Sequence, residues 1–144
     1  MTGLTGTLAM RDRTPLARGA SRLIYAHPSD PALLVKVMRA EFLEQRKAAR
    51  NWLDRRKPTR MVSIFAKEMR EQLVLLSRGE EIERFTARVY GFRDTDMGLG
   101  MLVKAARGTD GKLAPSLMRL IRENRYNADI ERDFERFCQL VLDS

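Results

Sequence analysis

The stretch Ala32-Leu33-Leu34-Val35-Lys36-Val37-Met38 is a compact apolar run with one lysine inside it. It is short enough to predict a strand buried on both faces rather than a helix. Just before it, His27-Pro28-Ser29-Asp30-Pro31 carries two prolines and reads as a turn. Upstream again, Leu16-Ala17-Arg18 and Arg22-Leu23-Ile24-Tyr25-Ala26 read as two short strands separated by a turn at Gly19-Ala20-Ser21. Residues 1–13 are small, polar and Gly/Thr-rich with no apolar period, which predicts a loose leader without regular structure.

Downstream of the strand, Arg46-Lys47-Ala48-Ala49-Arg50-Asn51-Trp52-Leu53-Asp54-Arg55-Arg56-Lys57 fits the cationic side of a helix with a poor apolar stripe. Pro58-Thr59 breaks the chain, and residues Ile64 to Leu76 then predict a helix ending near Gly79, with Phe65, Met69, Leu73 and Leu76 at spacings of three and four. Residues 86–92 and 100–105 read as a fourth and fifth strand joined by the turn 93–98. The tail is helical. Pro115 suits the first turn of a helix over Ser116–Arg125, and Asn127 can cap a second helix whose apolar face is Ile130, Phe134, Phe137 and Val141. The fold class expected is therefore α+β: about five mostly antiparallel strands with one packed helix, then two C-terminal helices.

The composition sets outer bounds. The chain of 144 residues is 44% hydrophobic and 32% charged, as expected of one soluble globular domain. Its formal charge is +8, which favours acidic partners such as phosphates, nucleic acid or anionic lipid. Residues 1–38 hold 5 basic and 2 acidic side chains, and residues 39–60 hold 8 and 3. The remaining 14 of each sign balance over residues 61–144, so the whole excess lies in the first 60 residues. One cysteine, Cys138, and one histidine, His27, cannot build an intramolecular disulfide or a tetrahedral structural zinc site. That cysteine usage suits a cytoplasmic location. No signal-peptide pattern begins the chain and no run of 18 apolar residues occurs in it, so no membrane span is expected. Walker-type, Gly-x-Ser-x-Gly and His-Glu-x-x-His motifs do not occur. His27 reads as a hydrogen-bonded turn residue and Cys138 as an apolar side chain; Asp94 and Asp96 flank a turn that Gly98 and Gly100 already explain.

The order of elements is strand, small-residue turn, strand, strand bearing a lysine, helix bearing glutamates, then two more strands. It resembles the N-terminal lobe of the protein-kinase-like fold. There, nucleotide phosphates are met by a flexible turn, by one cation on the adjoining strand, and by an acid on the packed helix that holds the cation. Lys36 would be the cation, since its neighbours Val35 and Val37 point to the opposite sheet face. Glu68 is the first choice for its partner and Glu71 the second; one helical turn apart, they are not separated by geometry alone. Arg18, Gly19, Ala20 and Ser21 would form the phosphate-facing turn. Taken singly, such a lysine also serves as a snorkelling edge residue and such a glutamate as a solvated one.

A narrower resemblance rests on Pro15-Leu16-Ala17-Arg18-Gly19, Arg22, Tyr25-Ala26-His27-Pro28-Ser29-Asp30 and Val35-Lys36-Val37. It continues through Lys67-Glu68-Met69, Tyr90-Gly91, Asp94-Thr95-Asp96-Met97-Gly98-Leu99-Gly100 and Asp110-Gly111-Lys112-Leu113-Ala114-Pro115-Ser116-Leu117. In these words the chain, over residues 14–144, resembles the bacterial PhoP regulatory network protein YrbL family, a small kinase-like group. The resemblance implies a regulatory, pseudokinase-like protein and leaves open whether ATP with magnesium binds; if it does, Lys36 and Glu68 are expected to carry the phosphate contact. It also implies a kinase-like lobe over residues 14–112, with a basic helical insertion at 39–60, and a truncated second lobe beginning at 113–144. Three departures qualify it. Ala17 stands where the family tends to have glycine, which stiffens the turn. Residues 39–60 are longer and more basic than in the family. No Asp-x-x-x-x-Asn or Asp-Phe-Gly occurs before Ser144, so phosphoryl transfer by this chain alone is not expected. The apolar face of the last helix is expected to seek a second-lobe partner or a second copy. The alternative reading is a non-enzymatic interaction module that binds nucleic acid or an acidic protein through residues 39–60.

Overall fold

The computed structural model describes residues 6–48, 63–77 and 85–142. The element order is β1 (Ala17–Arg18), β2 (Arg22–Ala26), β3 (Leu33–Met38), α1 (Ala40–Ala48), α2 (Ser63–Leu76), β4 (Val89–Thr95), β5 (Gly98–Lys104), α3 (Leu117–Arg122) and α4 (Ala128–Leu142). The five strands pair antiparallel in the order β1-β2-β3-β5-β4, so the fold is α+β. The lysine-bearing β3 is the central strand. The chain divides into two compact units, Met1–Gln72 with Arg88–Ala105, and Leu73–Ala87 with Ala106–Ser144.

In the first unit the pleat sorts side chains into two layers. Val35 and Val37 join Met10 and Tyr25 on one face, with Leu8, Leu23, Met97 and Leu102 around them. The alternate set meets the helices on the other face, where Met38, Phe65, Met101 and Val103 pack with Leu34, Phe42, Leu43 and Ile64. Strand β3 is thus apolar on both faces because both are covered. Helix α2 enters this second layer through Phe65, whose ring lies 5.9 Å from that of Phe92 on β4.

The cover on the first face is where the fold departs from the sequence pattern. Leu8 lies parallel to the end of β4, donating its N–H to Asp94 O at 2.9 Å and accepting from Asp96 N at 3.0 Å. The Asp96 carboxylate accepts from Met10 N at 2.7 Å and from Arg11 N at 3.2 Å, and the Met10 side chain is fully buried. The segment expected as a structureless leader is a sheet-covering strap from Leu8 onward. Two apolar side chains among small polar ones were too few to produce a period.

The β4–β5 hairpin is tighter than the expected turn 93–98. Asp96 and Met97 alone turn the chain, Gly98 adopts φ 98°, and Thr95 Oγ1 donates to Gly98 O at 2.6 Å. Strand β4 begins at Val89 rather than at residue 86, with a register shift between Val89 and Gly91.

In the second unit Ser116, not Pro115, sets the start of α3, its hydroxyl accepting from Arg119 N at 3.3 Å. Helix α3 stops at Arg122 because Asn124 adopts φ 52°, which lets Arg125 N return to Leu120 O at 2.8 Å. Asn127 caps α4 as expected, its Oδ1 accepting from Ile130 N at 3.0 Å. Phe137 of α4 packs on Phe85, with ring centroids 5.9 Å apart. Among the described residues no helix is long and apolar enough to cross a membrane.

Candidate functional site

Lys36 sits opposite Ile24 of β2 and Met101 of β5, which places it on the face that helix α2 covers. Its ammonium pairs with Oε1 of Glu68, while Arg22 from the start of β2 pairs with Oε2 of the same carboxylate. Arg22 is opposite Met38, two positions along from Lys36, so the pleat aims both cations at one helix position. Glu71, the second choice, is exposed and, among the described residues, pairs with the neighbouring Arg70 at 3.8 Å. The helical rotation explains the choice: Glu68 lies about 60° from the buried Phe65 and Glu71 about 120°.

The three side chains are 17–27% exposed, so solvent screens their attraction less than it would a surface pair. Burial by itself would raise the Glu68 carboxyl. The hydrogen bonds and charges of Lys36 and Arg22 outweigh burial and hold it below the usual carboxylate range. One carboxylate between two cations leaves the cluster with one uncompensated positive charge.

Beside the cluster, the β1–β2 turn is closed by Gly19 N donating to Arg22 O at 2.8 Å. Arg39, directly after β3, fixes this turn from below. Its guanidinium donates to Gly19 O at 3.2 Å and Ala20 O at 3.0 Å, and its backbone N–H donates to Ser21 O at 2.9 Å. The structure therefore brings Gly19, Ala20 and Ser21 to the end of β2 where Arg22 begins. Arg18 is different: it pairs with Leu23, whose face of the sheet is the one Met10 covers, and it reaches the exposed Glu41 of α1 at 3.5 Å. Gly19 holds no left-handed backbone angle, and a Cβ there would meet only Arg22 O at 3.6 Å. The turn has the tightness of a hairpin rather than the latitude of a many-glycine loop.

Two residues of this site were not read from the sequence. Arg22 opens the strand expected over Arg22–Ala26, and its position two before Ile24 puts it on the lysine's face only through the β2–β3 register, which the sequence does not fix. Arg39 gave no signal beyond standing after an apolar run. His27 keeps its expected turn role, Nδ1 accepting from Asp30 N at 3.1 Å and Ser29 N at 3.3 Å. Asp96 holds the strap described above. Of the basic segment, α1 carries Glu41, Glu44, Arg46 and Lys47, equal numbers of each sign; Arg50, Trp52, Leu53, Arg55, Arg56 and Lys57 lie outside the described residues.

The family model described as PhoP regulatory network protein YrbL matches residues 8–144 of the chain. No curated protein and no solved structure matches the chain.

Proposed function

The chain belongs to the PhoP regulatory network protein YrbL family, and from that premise we propose that it is a kinase-like regulatory protein whose sheet and α2 helix bind the phosphates of ATP. The observation that supports this reading is the Lys36–Glu68 ion pair, joining the third strand of an antiparallel sheet to the helix that follows it. In protein kinases a strand-three lysine held by a helix glutamate positions nucleotide phosphates, and both members must be in place. Glu68 fixes the ammonium so that no side-chain ordering is left for the moment of binding. Gly19, Ala20 and Ser21, held at the start of β2, would border the phosphates. Magnesium would enter as the counter-ion that the nucleotide carries.

Calorimetric titration with ATP and Mg²⁺, run beside Lys36→Met, tests the reading. Saturable heat in the wild type that Lys36→Met abolishes is the expected result. Absence of heat in the wild type overturns it.

A further inference from the structure

We propose that Arg22 is a second phosphate-binding cation of this site, making it a two-pronged cradle for a polyphosphate; the inference rests on the nucleotide reading for its ligand class. A kinase-type site needs one cation for its helix glutamate. Here the glutamate has two, one on each carboxylate oxygen. The excess positive charge is three-quarters buried, and a cation in that position is stabilised by an anion that water at the surface replaces poorly.

The turn explains why a second cation is needed. A loop of several glycines surrounds phosphate with backbone N–H groups, but the N–H of Gly19 already closes the turn on Arg22 O. The carbonyls of Gly19 and Ala20 are held by Arg39, so the turn cannot fold down onto a ligand without breaking those bonds. Charge lost from the backbone is supplied by the side chain that follows the turn. Arg22 suits the task because its guanidinium uses Nη1 for Glu68, and a planar fork of further N–H donors remains for two phosphate oxygens. Lys36 and Arg22 are two rungs apart on neighbouring strands and face the same way. They can therefore engage successive phosphoryl groups of one chain while Glu68 keeps them apart from each other's charge.

The test is calorimetric titration of wild type, Arg22→Gln and Arg22→Lys with ATP, adenosine and inorganic tripolyphosphate, with thermal unfolding of each variant as the control for folding. The expected result is that Arg22→Gln weakens ATP and tripolyphosphate about tenfold or more and leaves adenosine unchanged, as loss of a charge-assisted contact requires. Arg22→Lys, which keeps charge without the fork, should fall between the two. If Arg22→Gln does not fold, Arg22→Lys carries the test through a reduced preference for ATP over adenosine. Tripolyphosphate bound through Arg22 with no tighter binding of ATP would uphold the cradle and remove the nucleotide. ATP bound as tightly by the folded Arg22 variants as by the wild type would overturn the cradle and keep the nucleotide. No binding of either polyanion by the wild type overturns both.

Discussion

Gly100 lies opposite Val37 at the centre of the sheet, and a Cβ placed on it would stand 2.8 Å from Thr95 Cγ2 and 2.9 Å from Val35 Cγ1. Both neighbours are buried and held by the hairpin and the core, so neither can give way cheaply. Gly100→Ala should cost about 1–3 kcal/mol by overpacking. Gly19→Ala, whose Cβ would make only an ordinary van der Waals contact with Arg22 O on unstrained backbone angles, should stay within about 0.5 kcal/mol of the wild type. Denaturant melts of the two variants check the contrast; equal losses would count against this packing. The glycine valued from the sequence as part of the phosphate turn is thus the permissive one. The sterically required one was read only as hairpin punctuation, because steric need depends on which side chains the register brings alongside.

At the scale of elements, Glu68 joins α2 to both β2 and β3. Its carboxyl titrates lower in the folded chain than in the unfolded one, so the stability it contributes is complete above the ordinary carboxylate range. That contribution is lost as pH falls through the lowered folded-state value. Glu68→Gln should therefore cost about 1–2 kcal/mol at neutral pH, between the values for exposed and for fully buried pairs because these groups are partly exposed. The difference between wild type and variant should shrink as pH drops below the carboxylate range, which urea melts at neutral and acid pH measure directly. This element was legible: the apolar run around Lys36 and the spacing of Phe65 and Met69 located β3 and α2 without any fold in hand. What stayed illegible was how the elements meet. The choice of Glu68 over Glu71 needed the rotation of α2 on the sheet, Arg22 needed the β2–β3 register, and the Leu8–Met10 strap offered only two apolar residues. Helix α3 is shorter than the expected Ser116–Arg125 because nothing in Asn124 itself announces a left-handed backbone.

Over the whole molecule, burial is as unevenly distributed as charge. Every buried side chain among the described residues belongs to the first unit, from Met10 through Phe65 and Gln72 to Val103 and Ala105, while α3 and α4 hold none. Local opening costs least where least apolar surface is covered. Amide hydrogen exchange should accordingly be slowest in β3 and β5 and faster throughout α3 and α4; uniform protection across both units would contradict this. The strap has a consequence at the same scale. Strand β4 ends the sheet, and an open sheet edge is a template on which another chain can pair and begin an aggregate. Leu8, bonded to Asp94 and Asp96 and anchored by Met10, closes one end of that edge, so the Leu8–Met10 strap guards that end against pairing with another chain.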